Sequence, residues 1–143
     1  MTSEELKART KSFALRIIKL VDAMPRSLAG QVIGKQLLRS ATSVGANYRA
    51  ACRAQSHAEF TAKLSIVVEE ADEALYWLEL VNESGLIKAE RLNGLLREAN
   101  ELLAIVSASR KTAKASSRKK SASLTIVNRQ SSIVNSSGSR EHQ

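Results

Sequence analysis

The sequence predicts an all-α fold: an up-down-up-down four-helix bundle followed by a disordered basic C-terminal tail. Three observations predict it. Apolar residues recur at spacings of three and four in four separate stretches, which is the period of one helix face. One proline and six glycines in 143 residues leave few breaks, and the residues between them are mostly good helix formers. The punctuation that exists, at Pro25, Ser56 with Glu59, and Gly85, falls between the periodic stretches, where helix ends belong.

The first helix is expected to begin at Thr2, with Glu5 three residues on as the reciprocal partner of a capping box. Leu6, Phe13, Ile17, Leu20 and Met24 form its apolar stripe. Pro25 ends it, because proline disfavours helical geometry in the residue before it and offers no amide hydrogen. Ser27 is the expected cap of the second helix. Its inward line reads Gly30, Ile33, Leu37, Ser40, Val44, Asn47, Ala51 and Ala54. Small residues there allow close approach of a neighbour. Ser40, Ser43 and Asn47 each need a hydrogen-bond partner if buried, at about 1–3 kcal/mol for every group left without one.

Ser56 and Glu59 make an S-x-x-E capping box immediately before the third stripe, which runs through Phe60, Leu64, Val67, Ala71, Leu75, Leu78 and Val81. Acids cover the other face, and Gly85 is the expected terminator. The fourth helix is expected from about Ile87, through Leu92, Leu95, Leu96, Ala99, Leu102, Leu103 and Val106. Short connections between long helices favour antiparallel neighbours, hence the bundle. After Ala108 serine, lysine and arginine take over and the apolar periodicity fades. Residues 1–108 therefore read as the bundle domain and 109–143 as a disordered Ser/Lys/Arg-rich tail.

The net charge of +8 is unevenly distributed. Residues 1–107 carry 14 Lys/Arg against 13 Asp/Glu, whereas residues 108–143 carry eight bases against Glu141 alone. Within the bundle the charges segregate by helix. Between Ala23 and Ala58 there are five bases and no acids; between Glu59 and Glu83 there are seven acids and one base. Two readings follow. Adjacent helices of opposite sign attract each other inside one subunit, or the two faces remain outward, for the next subunit of a ring or for phosphate.

Chemistry-bearing constellations are sparse. His57 and His142 lie in a turn and near the terminus, and Cys52 has no orienting third group, so no nucleophile–base pair can be named and no enzyme is expected. The chain lacks C-x-x-C and H-x-x-x-H spacings, and Glu69, Glu70, Asp72 and Glu73 lack the Glu-x-x-His partner of bundle metal sites. No metal or cofactor is expected. The single cysteine excludes an intrachain disulfide and suits a reducing cytoplasm. The opening residues, with Glu4 and Glu5, lack a secretory pattern, and no apolar run reaches the roughly 18 residues of a membrane span.

Lys35, Arg39, Arg49 and Arg53 are the candidate phosphate-binding residues, with Tyr48 between them as the candidate base-stacking platform. Glu69, Glu70, Glu73 and Trp77 are the candidate subunit-interface residues. The tail cluster Arg110, Lys111, Lys114, Arg118, Lys119 and Lys120 either contacts phosphate non-specifically or only solvates the tail.

Arg39-Ser40, Ser43-Val44, Asn47, the Ser56/Glu59-Phe60 turn and the Glu70–Glu73–Leu78 region resemble a small four-helix-bundle family. Its members are the proteins encoded in intervening sequences of bacterial large-subunit ribosomal RNA genes and the accessory variability proteins of diversity-generating retroelements. The resemblance spans about residues 6–106. In the family pattern RS-x-x-S-[IV]-x-x-N leads to a glycine-containing turn; here the turn reads YRAACRAQSH without glycine, which predicts a slightly longer second helix. The resemblance implies a non-enzymatic bundle that assembles as a homopentameric ring. For the retroelement branch it also implies association with RNA or DNA and a reverse transcriptase. The alternative expectation is a protein-interaction scaffold whose charged faces serve self-assembly or partner docking.

Overall fold

The computed structural model describes the backbone of residues 1–140 and the side chains of residues 1–118. It contains four helices: α1 (Ser3–Asp22), α2 (Leu28–Cys52), α3 (His57–Glu83) and α4 (Ala89–Arg140). Each boundary has a local cause. Thr2 accepts the amide of Glu5 at 3.1 Å while the Glu5 carboxylate accepts the amide of Thr2, also at 3.1 Å, so the expected capping box is present. Ser27 accepts the Gly30 amide at 3.1 Å, and Ser56 accepts that of Glu59 at 3.1 Å. The returning Glu59 carboxylate reaches the Gln55 amide at 3.2 Å. Gly85, with φ 75°, supplies the left-handed residue after α3 that side chains rarely tolerate.

Sequence neighbours pack side by side and α1 closes against α4, giving the antiparallel four-helix bundle. The register is fixed by a few close approaches. Gly45 of α2 lies against Thr10 of α1, and Gly34 lies against Val21 and Met24; these pairs run in opposite senses along the two helices. His57 at the start of α3 meets the Ala113 carbonyl of α4 at 2.8 Å. Every residue expected on the α1 stripe is buried, joined by Thr10.

The α2 inward line is shifted. Leu37, Ser40, Val44 and Ala51 are buried as expected, but Gly34, Ala41 and Tyr48 complete the face while Ile33 and Asn47 sit at its half-buried margin. Ser40 donates to the carbonyls of Gln36 and Leu37, at 2.9 and 3.2 Å. Asn47 donates to the Ser43 carbonyl at 2.9 Å and the Ser43 hydroxyl at 2.8 Å. Ser40, Ser43 and Asn47 are thus satisfied within their own helix. Their small size serves packing, and they place no hydrogen bond across the interface.

α4 does not stop at 108. Residues 109–118 continue the helix, Ala113 joins the core, and the His57 contact ties this turn to α3. The expected disorder is therefore corrected for these ten positions. Alanine, lysine and arginine favour helix even where the apolar stripe thins, and α3 still offers a surface to cover. The side chains of Lys119 and Lys120 and the position of His142 lie outside the described residues. Among those described, no helix is long and apolar enough to cross a membrane.

Candidate functional site

The four α2 bases fall on one outward face. Lys35, Arg39, Thr42, Ala46, Arg49 and Arg53 follow spacings of four and three, and all are exposed except the half-buried Thr42. They do not share one fate. Arg39 reaches across to α3, where it pairs with Glu73 and lies 3.4 Å from Glu70. Glu73 is also bonded by the Trp77 indole, Nε1 to Oε1 at 3.3 Å, and Trp77 stacks edge-on against Tyr76 with ring centroids 5.1 Å apart. The hydrogen bond from Arg39 holds the Glu73 carboxyl below its usual range, against the opposing effect of burial, with Trp77 assisting. The same bond, with the charge of Glu70, raises Arg39. Arg39, Glu70, Glu73 and Trp77 thus form one intrasubunit cluster. At this point the attraction between neighbouring helices of opposite sign is what the structure realises.

Lys35, Arg49 and Arg53 make no ion pair among the described residues. Arg49 borders a groove of about 450 Å³ between α1 and α2, lined on the α1 side by Glu4, Lys7 and Lys11 with Ala8, Gly45 and Ala46 between the helices. The floor is low because Gly45 has no side chain and lies against Thr10. Lys7 is paired with Glu4 at 2.5 Å; Lys11 is exposed and without an ion pair among the described residues. Neither lysine stands out in the sequence as a site residue, because only the α1–α2 packing places them beside Arg49.

Tyr48 is corrected as a stacking platform. It is 6 % exposed and belongs to the core. Burial, aided by a hydrogen bond with Cys52, pushes its hydroxyl pKa up to about 12. The spacing Leu37, Ala41, Val44, Tyr48, Ala51 is as regular as the line through Ser40 and Asn47, and that spacing is the signal for its burial. On α3, Glu69, Asp72, Tyr76, Glu79 and Glu83 form an exposed acidic stripe with the tyrosine in its middle. The outward acids therefore extend past those expected at the interface, while Glu70 and Glu73 are engaged by Arg39.

The fold also gathers bases from distant parts of the chain. One depression is lined by Ser3, Tyr48, Cys52, His57 and Phe60, and a second by His57, Phe60, Ser109, Thr112 and Ala113. The start of α1, the end of α2, the start of α3 and residues 109–116 of α4 consequently share one end of the bundle. Arg49 and Arg53 of α2 and Arg110, Lys111, Lys114 and Arg118 of α4 therefore belong to the same end of the bundle, on helices that do not touch each other among the described residues.

Fold and surface together define a four-helix bundle whose distinctive chemistry is carried by charged helix faces. Residues 4–108 match the family model described as 23S rRNA-intervening sequence protein, and the chain belongs to that family. A solved relative is a protein with unknown function from the S23 ribosomal protein family of Bacteroides thetaiotaomicron VPI-5482. It is 36 % identical, the match covers 78 % of this chain and 99 % of that one, and the TM-score is 0.71. No curated protein matches the chain.

Proposed function

We propose that this protein is a non-enzymatic, cytoplasmic, nucleic-acid-associated bundle that holds RNA or DNA by its phosphates without strong sequence preference. The observation that carries the reading is the grouping of cations at one end of the bundle. Arg49 and Arg53 face outward without ion pairs among the described residues, Arg49 across a groove from Lys11 and from Lys7 with its partner Glu4, at the end of the bundle that residues 110–118 share. Such a surface attracts phosphate mainly by counterion release, so affinity depends steeply on salt. The family description, which ties its members to ribosomal RNA genes, agrees with a nucleic-acid setting.

Fluorescence polarisation with a labelled RNA tests it. Binding is expected at low salt, and the slope of log affinity against log salt should become shallower by about two when Arg49 and Arg53 are both replaced by alanine. Absence of binding at low salt by a fully helical protein would refute the reading.

Self-assembly is a second reading, favoured by the apolar residues left exposed within charged faces. Ile66 and Tyr76 sit in the acidic α3 stripe, while Leu15 and Ile18 of α1 and Val32 of α2 are exposed on the basic helices. The acidic stripe of one copy and the basic helices of the next would pair these apolar groups within complementary charge, the head-to-tail geometry of a ring. The family resemblance points to five subunits. Since Glu70 and Glu73 serve Arg39 internally, the informative reversal is at Glu69 and Glu79. Their joint replacement by lysine should move the mass measured by light scattering from oligomer to monomer with helicity intact. An unmoved mass would count against this interface.

A further inference from the structure

We infer that the groove between α1 and α2 is the seat of Tyr76 from a second copy of this chain. The inference rests on the self-assembly reading above and names the contact that makes it. In it Lys11 and Arg49 meet carboxylates of the neighbour, while Arg53 and the α4 bases stay open.

The knob is an aromatic ring among acids. Tyr76 is 53 % exposed in the middle of the α3 stripe. An edge contact with Trp77 braces its ring, and Glu69, Asp72 and Glu79 surround it. None of these three acids forms an ion pair among the described residues. Tyrosine is one of the side chains that most often anchor protein interfaces.

The seat is made of small residues. Ala8 and Ala14 of α1 and Gly45 and Ala46 of α2 line the groove of about 450 Å³. Gly45 lies against Thr10 and has no side chain to fill the space. Lys7 and Glu4 at the edge neutralise each other. Lys11 and Arg49 line the groove without ion pairs among the described residues. The acids around Tyr76 supply the opposite sign.

Spacing sets the orientation. On α3, Ile66 and Tyr76 are ten positions apart, with Glu69 and Asp72 between them. On α1, Ala8 and Ile18 are also ten positions apart, with Lys11 between them. Each interval is about 15 Å along a helix, and Ile66 and Ile18 are both exposed. Antiparallel docking therefore sets Tyr76 over Ala8 and Ile66 over Ile18, with the acids and Lys11 facing each other between. The bulky end of one line meets the empty end of the other.

The occupant is a second copy and not the same chain. α1 and α3 make no contact among the described residues, and the α3 stripe faces outward, so a chain does not reach its own groove. Knob and seat are different surfaces, and each copy can give one and receive the other.

The test is light scattering on the full-length protein, with circular dichroism to confirm that each variant is helical. Tyr76→Ala removes the knob. Ala46→Glu, at an exposed position, obstructs the seat with bulk and negative charge. Each alone should weaken self-association by about tenfold or more, the effect of losing an interface anchor, and run as a monomer where the parent is assembled. An equimolar mixture of the two should form dimers and nothing larger, because one intact knob and one intact seat remain between them. Parental mass for either variant, or a mixture that stays monomeric or grows past a dimer, would overturn this seat and leave self-assembly to another surface. A parent that is monomeric at every concentration would remove both.

Discussion

Gly30→Ala is expected to destabilise the bundle by about 2–3 kcal/mol, the upper part of the usual range for overpacking. Inside a helix this exchange normally stabilises, since alanine gains about 1 kcal/mol over glycine. Here the sign should reverse. Gly30 lies in the first turn of α2, its amide bonded to the capping hydroxyl of Ser27. A methyl group on it would lie 2.0 Å from the Pro25 carbonyl oxygen and 3.0 Å from its carbon. Both are backbone atoms, so no rotamer change relieves the contact. The turn would have to move, and with it Met24 in the core and the Ser27 cap. Gly94→Ala is the control. The group it meets is the end of the flexible Arg16 side chain, at 3.2 Å, on an exposed part of α4. That variant should unfold at equal or higher urea concentration than the parent, and Gly30→Ala at clearly lower. Equal midpoints for Gly30→Ala and the parent would mean that the Pro25–Ser27 turn yields without cost.

The helix starts were legible in the sequence because their causes are local. A capping hydroxyl and the amide it accepts are three residues apart, so Thr2 with Glu5 and Ser56 with Glu59 can be recognised without knowing what surrounds them. The inward stripes of α1 and α3 were legible because large apolar residues occupy one side only. On α2 the same logic weakened, since small residues permit more than one inward line. The line through Ser40 and Asn47 and the line through Ala41 and Tyr48 lie close together on the helix, and the neighbouring helices decide which is deeper. Tyr48, which lies between Arg39 and Arg49 in the sequence, is in the core.

What depended on register between helices could not be read in advance. Arg39 and the acids it meets are 31 and 34 positions apart in sequence. Whether Arg39 would be free for phosphate depended on how far α3 is slid along α2. Lys7 and Lys11 became neighbours of Arg49 through the same kind of accident of packing. The end of the bundle was missed for a different reason. Beyond Val106 a single small residue among those described, Ala113, carries the core contact, and one alanine in a serine- and lysine-rich run gives no periodic signal.

Arg9→Met is expected to cost about 2 kcal/mol near neutral pH, and the cost should shrink in acid. Arg9 is the principal charged link between α1 and α4, the more lightly joined seam of the bundle. Its guanidinium donates twice to Glu98, Nε to Oε2 at 2.8 Å and Nη2 to Oε1 at 2.5 Å, and also pairs with Glu101. Such bidentate, charge-assisted contacts are stronger than ordinary surface pairs, and this one is partly sheltered, with the Glu98 side chain only 17 % exposed. The hydrogen bond from Arg9 lowers the Glu98 pKa although burial acts to raise it. A carboxyl whose pKa is lower folded than unfolded stabilises above its unfolded value and loses that contribution as pH falls through the folded value. With methionine at position 9, burial acts on Glu98 unopposed by that bond, so protonation of Glu98 relieves the variant where it weakens the parent. Urea midpoints of parent and variant should therefore differ most near neutrality and converge at about pH 3, below the ordinary carboxylate range. A gap that persists unchanged in acid would assign the cost of Arg9→Met to lost packing of its aliphatic stem and remove the ion pair from the account of what closes α1 onto α4.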